Sequence, residues 1–160
     1  MKIPKVMSST TEILLALWTE ARTRSSQQLA LLTAEDLGRR LPPSPNSVGF
    51  LIRHIGDVEL LFAKNVFGAA DVRVTAKTVI AQHDTGEWTD LPALLAYVET
   101  SAAALQAIVV AQSEADWDTV IETKEFGRKT KAEAFGRIVS HTAYHAGQLA
   151  LLRKYGILDA

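Results

Sequence analysis

Apolar residues return every three to four positions along four long stretches of this chain, and that spacing leaves little choice but helices packed through one face each. In the first stretch Ile13, Leu14, Leu17, Trp18, Ala21, Leu29 and Leu32 keep helical register. Ser9 and Glu12 have the form of a capping box, so the spacing predicts a helix over residues 9 to 32. A proline-rich loop with one short helical turn follows (TAEDLGRRLPPSPNS). A second helix is predicted over 47 to 67, capped by Asn46 or Ser47, with Phe50, Leu51, His54, Val58 and Leu61 on one stripe and Gly68 as its stop. Thr89 or Asp90 caps a third, which tolerates Pro92 in its first turn and runs to residue 112. Thr130 and Glu133 form another capping box, predicting a fourth helix over 131 to 154 with Gly156 as its C-cap. Alanine and leucine make up about a quarter of the chain, a composition that leans the same way.

Four such helices in 160 residues, without repeats, predict an all-α chain forming one domain over 1–160, an antiparallel four-helix bundle. The connections on either side of the third helix each take about twenty residues, and loops that long are uncommon unless they do something. The first, 68 to 88, lacks sustained periodicity and reads as a connector with at most a helical turn. The second, DWDTVIETKEFGRKTK, alternates in β fashion around a turn near Phe126 and Gly127 and predicts a small hairpin or extended loop.

Charge excludes some partners. Lysine and arginine number 17 against 18 acidic residues, so no net field draws the chain to nucleic acid or an anionic membrane. Two basic clusters, Arg22, Arg24, Arg39 and Arg40, and Lys124, Arg128, Lys129 and Lys131, lack interleaved aromatics or a DNA-reading motif and read as solvated charge. The second would attract an anionic cofactor if its loop borders a site. No cysteine is present, which excludes disulfides, cysteine-bound metals and a cysteine nucleophile. The start, MKIPKVMSSTTEILLALW, is superficially leader-like, but ILLALW is too short for a signal-peptide core and no small-residue cleavage site follows. No stretch approaches the roughly 18 consecutive apolar residues of a membrane span. The expectation is a soluble cytoplasmic protein acting on a small molecule, with no nucleic-acid or membrane partner.

Three of the four histidines fall where a packed core would carry apolar side chains. His141 and His145 are four apart on the fourth helix, on a stripe with Ala134, Ile138, Gln148 and Leu152. His54 occupies the middle of the second helix's stripe. Either each is a satisfied core histidine, or the three bind one metal ion. Desolvated imidazoles without anionic partners are costly unless something takes their lone pairs, and neutral imidazole is the commonest protein metal ligand. Three ligands leave an open, catalytic type of site, and zinc or nickel suits an all-imidazole set. Gln148 lies one turn beyond His145 and could bond a histidine, a bound water or substrate, or serve as a packing amide. Asp57, three residues after His54, either orients an imidazole or is a solvated flank. Tyr144, beside the pair, either lines the pocket or, the favoured reading, packs, and His83 reads as an exposed histidine outside the site.

The stretches HTAYHAGQLALLRKYG (141 to 156) and SVGFLIRHIGDVELLF (47 to 62) resemble the signature of the DinB-like (DinB/YfiT) superfamily of metalloenzymes. Positions matching its pattern are His54, His141, His145, Gly147, Gln148, Arg153 and Gly156, and helix order agrees over the whole chain. Ala146 departs from the arginine often found there. The resemblance implies a four-helix bundle holding a divalent metal, often zinc or nickel, on the three histidines plus waters, and a homodimer. Relatives include bacillithiol S-transferases and mycothiol-dependent maleylpyruvate isomerase, in which the metal lowers the pKa of a thiol cofactor. The family name does not imply DNA binding.

The reading that follows is a metal-dependent thiol S-transferase in which a low-molecular-weight thiol supplies the nucleophile that the chain lacks. Two alternatives stay open: a hydrolase using metal-bound water, and a noncatalytic helical interaction or stress-response module.

Overall fold

The computed structural model describes residues 9–125 and 127–158; the leader-like first residues and Phe126 lie outside them. Among the described residues the elements are α1 (Thr10–Leu29), a short 3-10 turn (Ala34–Gly38), α2 (Val48–Asn65), α3 (Lys77–Ala81), α4 (Leu91–Val110), α5 (Glu114–Trp117), the strands β1 (Val120–Thr123) and β2 (Gly127–Thr130), and α6 (Lys131–Tyr155). The chain is thus mostly helical, and all four predicted long helices are present. Local chemistry sets their starts. Ser9 Oγ accepts from the Glu12 amide at 3.1 Å, while the Ser9 N–H donates to Glu12 at 2.9 Å. Thr130 and Glu133 make the same reciprocal pair at α6, Ser47 caps α2, and Asp90 caps α4. The predicted hairpin forms with Val120 opposite Thr130 and Thr123 opposite Gly127, whose φ of 70° suits a residue without a Cβ.

Helix directions depart from the antiparallel expectation. Val48, Ile52 and Ile55 near the start of α2 share one core cluster with Leu94 and Val98 near the start of α4; Phe62 and Ala63 share a second with Leu105 and Val109. These two helices therefore run parallel, and the connector from 66 to 90 returns the chain to the end where α2 began. α6 runs against α2, with Leu149 and Leu152 in the first cluster and Phe135 and Ile138 in the second. Trp18 meets Phe135 with ring centroids 6.3 Å apart, and Leu29 joins the first cluster, so α1 runs parallel to α6. The physical reason is length: a short loop forces antiparallel neighbours, whereas a long crossover permits a parallel pair.

Burial also shifts some expected faces. Ile13 and Leu17 are 52% and 53% exposed, and the buried stripe of α1 is Trp18, Ala21, Arg22, Ser25 and Leu29. Arg22, expected in solvent, instead donates to Glu59 at 3.2 Å across the interior. By length and composition α4 would pass as a membrane helix, with a mean hydropathy of 1.6, contrary to the expectation that no stretch comes close. Its buried side is a stripe of Leu94, Val98, Ala102, Leu105 and Val109, and its outer side carries Glu99, Thr100, Ala103 and Gln106, the division of a helix that faces a protein core. Close approach to α2 depends on Gly56, where a Cβ would lie 2.7 Å from the Tyr97 ring and 3.1 Å from Ser101 Oγ.

Glu59 is fully buried, held by Arg22 and by the Ser101 hydroxyl at 2.9 Å. Burial outweighs both partners and pushes its carboxyl up to about 7. Because the folded state then holds a proton that the unfolded chain releases near 4.5, this contribution to stability is present below pH 4.5 and lost as pH rises through 7. Urea unfolding of Glu59→Gln at pH 5 and pH 8 is expected to remove that loss, narrowing the gap between the two pH values by up to about 3 kcal/mol relative to wild type.

Candidate metal centre

His54 rises from the middle of α2, and His141 and His145 lie one turn apart on α6, which crosses α2 in the opposite direction. The crossing brings the three imidazoles together edge to edge. His141 Nε2 lies 3.2 Å from His54 Nε2 and 3.0 Å from His145 Nε2. One ligand atom from each falls within 4.8 Å of the others, which makes them a group able to hold a metal ion. They are not central in the core, as their stripes implied, but lie at its edge: His145 is 8% exposed, while His54 and His141 are half-buried where α2 and α6 face the two connectors.

Fixed neighbours set each ring. Phe50 stacks on His54 with the planes 9° apart. His54 Nδ1 is 3.1 Å from Thr78 Oγ1, on α3. His145 Nδ1 donates to Gln148 Oε1 at 2.6 Å, and Gln148 Nε2 donates to the Tyr144 hydroxyl at 3.1 Å. Gln148 thus bonds a histidine, one of the roles its position suggested, while Tyr144 is exposed, its ring 5.2 Å from that of His145, and lines a further cavity with His141. His141 Nδ1 is buried without a partner among the described residues. Asp57 is wholly buried and is hydrogen-bonded toward His54 by way of Thr78, whose hydroxyl and amide donate to Asp57 Oδ2 at 2.7 and 3.1 Å. Tyr97 OH and Arg53 Nε donate to Oδ1 at 2.6 and 2.9 Å. Burial, then the bond to Asp57, pushes the Tyr97 hydroxyl up, so it stays a donor. Arg53 in turn lies over the Tyr97 and Trp88 rings, 3.8 and 5.1 Å from their centroids.

The donor set fits a divalent cation. Nitrogens about 2.0–2.1 Å from one ion stand about 3.3 Å apart at a tetrahedral angle and about 2.9 Å apart at a right angle. The observed 3.0 and 3.2 Å lie between these. Electrostatics agrees, since a ligand must be neutral. Burial, followed by the neighbouring rings, pulls His141 down to about 3; burial and His54 pull His145 down to about 4, and burial lowers His54 against the pull of Asp57.

Both connectors form walls of the space above the rings. A cavity of about 750 Å³ is lined by His54 and His141, by Val58, Leu61 and Phe62 of α2, by Val79 of α3 and by Glu122 to Glu125 of the hairpin. A smaller one, about 270 Å³, reaches His54 and His145 between Phe50, Thr78 and Gln82. Thr78 and Tyr97 escape a sequence reading, because the contacts joining them to Asp57 span α2, α3 and α4, and for Thr78 the signal was the length of the connector; Arg53, four residues before Asp57 on α2, was open to a reading by its i, i+4 spacing. His83 is exposed, its Nδ1 against the Ala81 carbonyl, outside the site. Ala146 is buried, on the core side of α6.

Fold and site together define a helical protein with an open three-histidine centre able to hold a metal. The sequence pattern of the DinB superfamily matches residues 17–149, and the chain belongs to that superfamily. A comparison with curated proteins gives no match. Among solved structures, a mycothiol-dependent maleylpyruvate isomerase is similar with a TM-score of 0.69 and 19% identity over 89% of this chain and 63% of that one. A histidine-to-alanine variant of a mycothiol-dependent maleylpyruvate isomerase gives a TM-score of 0.66 and 18% identity over 95% and 65%. Likeness at this identity concerns the fold, and this chain spans less than two thirds of either protein.

Depressed histidines make an acid-sensitive fold. The unfolded chain binds protons below 6.5 that the folded metal-free protein refuses, so this stability is full above 6.5 and lost as pH falls toward 3 to 4. Replacing His141 by Gln removes one such group. The drop in unfolding free energy of chelator-treated protein between pH 7 and pH 5 is expected to shrink by roughly 2 kcal/mol in that variant.

Proposed function

We propose that this DinB superfamily member is a single four-helix-bundle domain over residues 1–160 that binds one divalent metal through His54, His141 and His145 and transfers a small-molecule thiol to an electrophile. The observation that carries the reading is the convergence of three Nε2 atoms, with His141 3.0 Å from His145 and 3.2 Å from His54, where His54 and His141 line an open cavity. Zinc or nickel suits three imidazoles. A divalent ion in such a site supplies the electrostatic pull that lowers the pKa of a thiol or water bound to it. In this role Gln148 and Asp57 are positioning residues, the first holding His145 and the second acting on His54 through Thr78. The chain has no cysteine, so the thiol comes from solution. A low-molecular-weight thiol is favoured by the mycothiol dependence of the similar isomerase. Val58, Leu61, Phe62, Val66 and Val79 give the cavity apolar walls, and Lys64 and Lys124 line it too. Glu125 is paired with Arg137 at 3.2 Å, and Glu122 lies opposite Arg128 in the hairpin register. With Glu125 so paired, the two lysines outnumber the one remaining lining carboxylate, Glu122, and favour an anionic substrate or cofactor with an apolar body. The protein is expected to act as a soluble cytoplasmic homodimer without nucleic-acid or membrane partners.

Purified without a histidine tag, the protein is expected to carry near-stoichiometric divalent metal, and His141→Ala with His145→Ala to carry none. Thiol-dependent turnover of an electrophile should fall at least 100-fold on chelation or in the double variant and return to the wild-type protein with zinc or nickel. Turnover without added thiol would establish hydrolysis instead. Full metal retention by the double variant, or identical melting with and without chelator and no turnover, would leave a noncatalytic module. Within the same assay, Lys64→Glu with Lys124→Glu is expected to raise KM for an anionic substrate about tenfold with kcat little changed.

A further inference from the structure

We infer that Thr78, delivered by the connector rather than by the long helices, sets which nitrogen of His54 carries the hydrogen, leaving Nε2 bare toward the site, so that seating α3 completes the donor set. The inference rests on the metal-site reading above. Thr78 has one hydroxyl hydrogen, and it is committed to Asp57 Oδ2 at 2.7 Å. Toward His54 Nδ1, 3.1 Å away, the oxygen therefore only accepts. The ring must place its hydrogen on Nδ1, which leaves Nε2 bare toward His141. Asp57 cannot turn to release the hydroxyl, because the Thr78 amide holds the same oxygen while Tyr97 and Arg53 hold the other. Thr78 is itself 1% exposed.

The backbone around Thr78 points the same way. α3 has five residues, and both flanking positions, Ala76 at φ 50° and Gln82 at φ 59°, are left-handed without being glycine. Such conformations are held by their surroundings, not by local preference. For α3 the surroundings include Thr78 on Asp57 and the Lys77 ammonium on Glu87 at 2.8 Å. Free neutral histidine favours the opposite tautomer, hydrogen on Nε2, which would aim that hydrogen at the metal position.

The test uses the full chain labelled with nitrogen-15 in its histidines. In the metal-free wild type at pH 7, long-range proton–nitrogen correlation should find His54 in the Nδ1–H form; in Thr78→Val it should move toward the Nε2–H form. Zinc affinity, measured by competition with a chromophoric chelator, should weaken about 10- to 100-fold in Thr78→Val and return to within about threefold of wild type in Thr78→Ser, which keeps the hydroxyl. An Nε2–H form in the wild type, or unchanged tautomer and affinity in Thr78→Val, would overturn the inference. Should the valine variant fail to fold, the wild-type tautomer and the serine variant's affinity still decide it. A wild type that binds no zinc or nickel but holds His54 as Nδ1–H would remove the metal reading and leave the Thr78 assignment standing.

Discussion

Enclosure of α2 is the constraint on which the rest depends. Val48, Ile52, Ile55 and Ala63 have no exposed surface, and the helix meets α4, α6, α3 and the 3-10 turn around its circumference. Except at its exposed end, Lys64 and Asn65, a helix so enclosed cannot leave a polar side chain to water, so the inner ones must find fixed partners. Three polar residues within six positions do so in three directions: His54 toward α6, Asp57 toward α3 and α4, and Glu59 toward α1 and α4. The site is one of these three solutions, differing in that its partners are other imidazoles.

The parallel run of α2 and α4 also explains why the site has walls. A short hairpin between these helices would have left the edge where α2 meets α6 open to solvent. The crossover instead sends a connector past that edge, where Thr78 and Val79 reach the rings. The second long connection, folded as the β1–β2 hairpin, supplies the opposite wall through Glu122 to Glu125. Scaffold helices hold the three imidazoles, and the connections shape what approaches them, a division common where rigid elements carry a site and loops define its access.

Much of this was legible in the sequence because it is local. Helix starts follow from side chains three residues apart, as at Ser9 and Glu12 or Thr130 and Glu133. The pairing of His141 with His145 follows from helical geometry, and His54 was marked by its apolar neighbours. Pairings across the chain were not legible. Arg22 looked like one more surface arginine until Glu59, 37 residues on, gave it a buried partner. Asp57 was a plausible orienting group, but Thr78, the side chain through which it acts, lies 21 residues away on a segment without periodicity. Ile13 and Leu17 counted as core by type, yet the face that α1 turns inward is set by its partners, which periodicity does not name.

Gly56 links the inter-helix packing to the histidines. Its missing side chain lets the Tyr97 ring close on α2 and lets the hydroxyl reach Asp57, which holds Thr78, which meets His54. Positions 56 and 97 are therefore not free to drift separately: a larger residue at 56 requires a smaller one at 97, and with it the loss of a donor to Asp57. In this chain a glycine that performs no chemistry is thus tied to the group that steadies the histidine on α2, so that a change in helix packing at 56 is at once a change at the candidate metal centre.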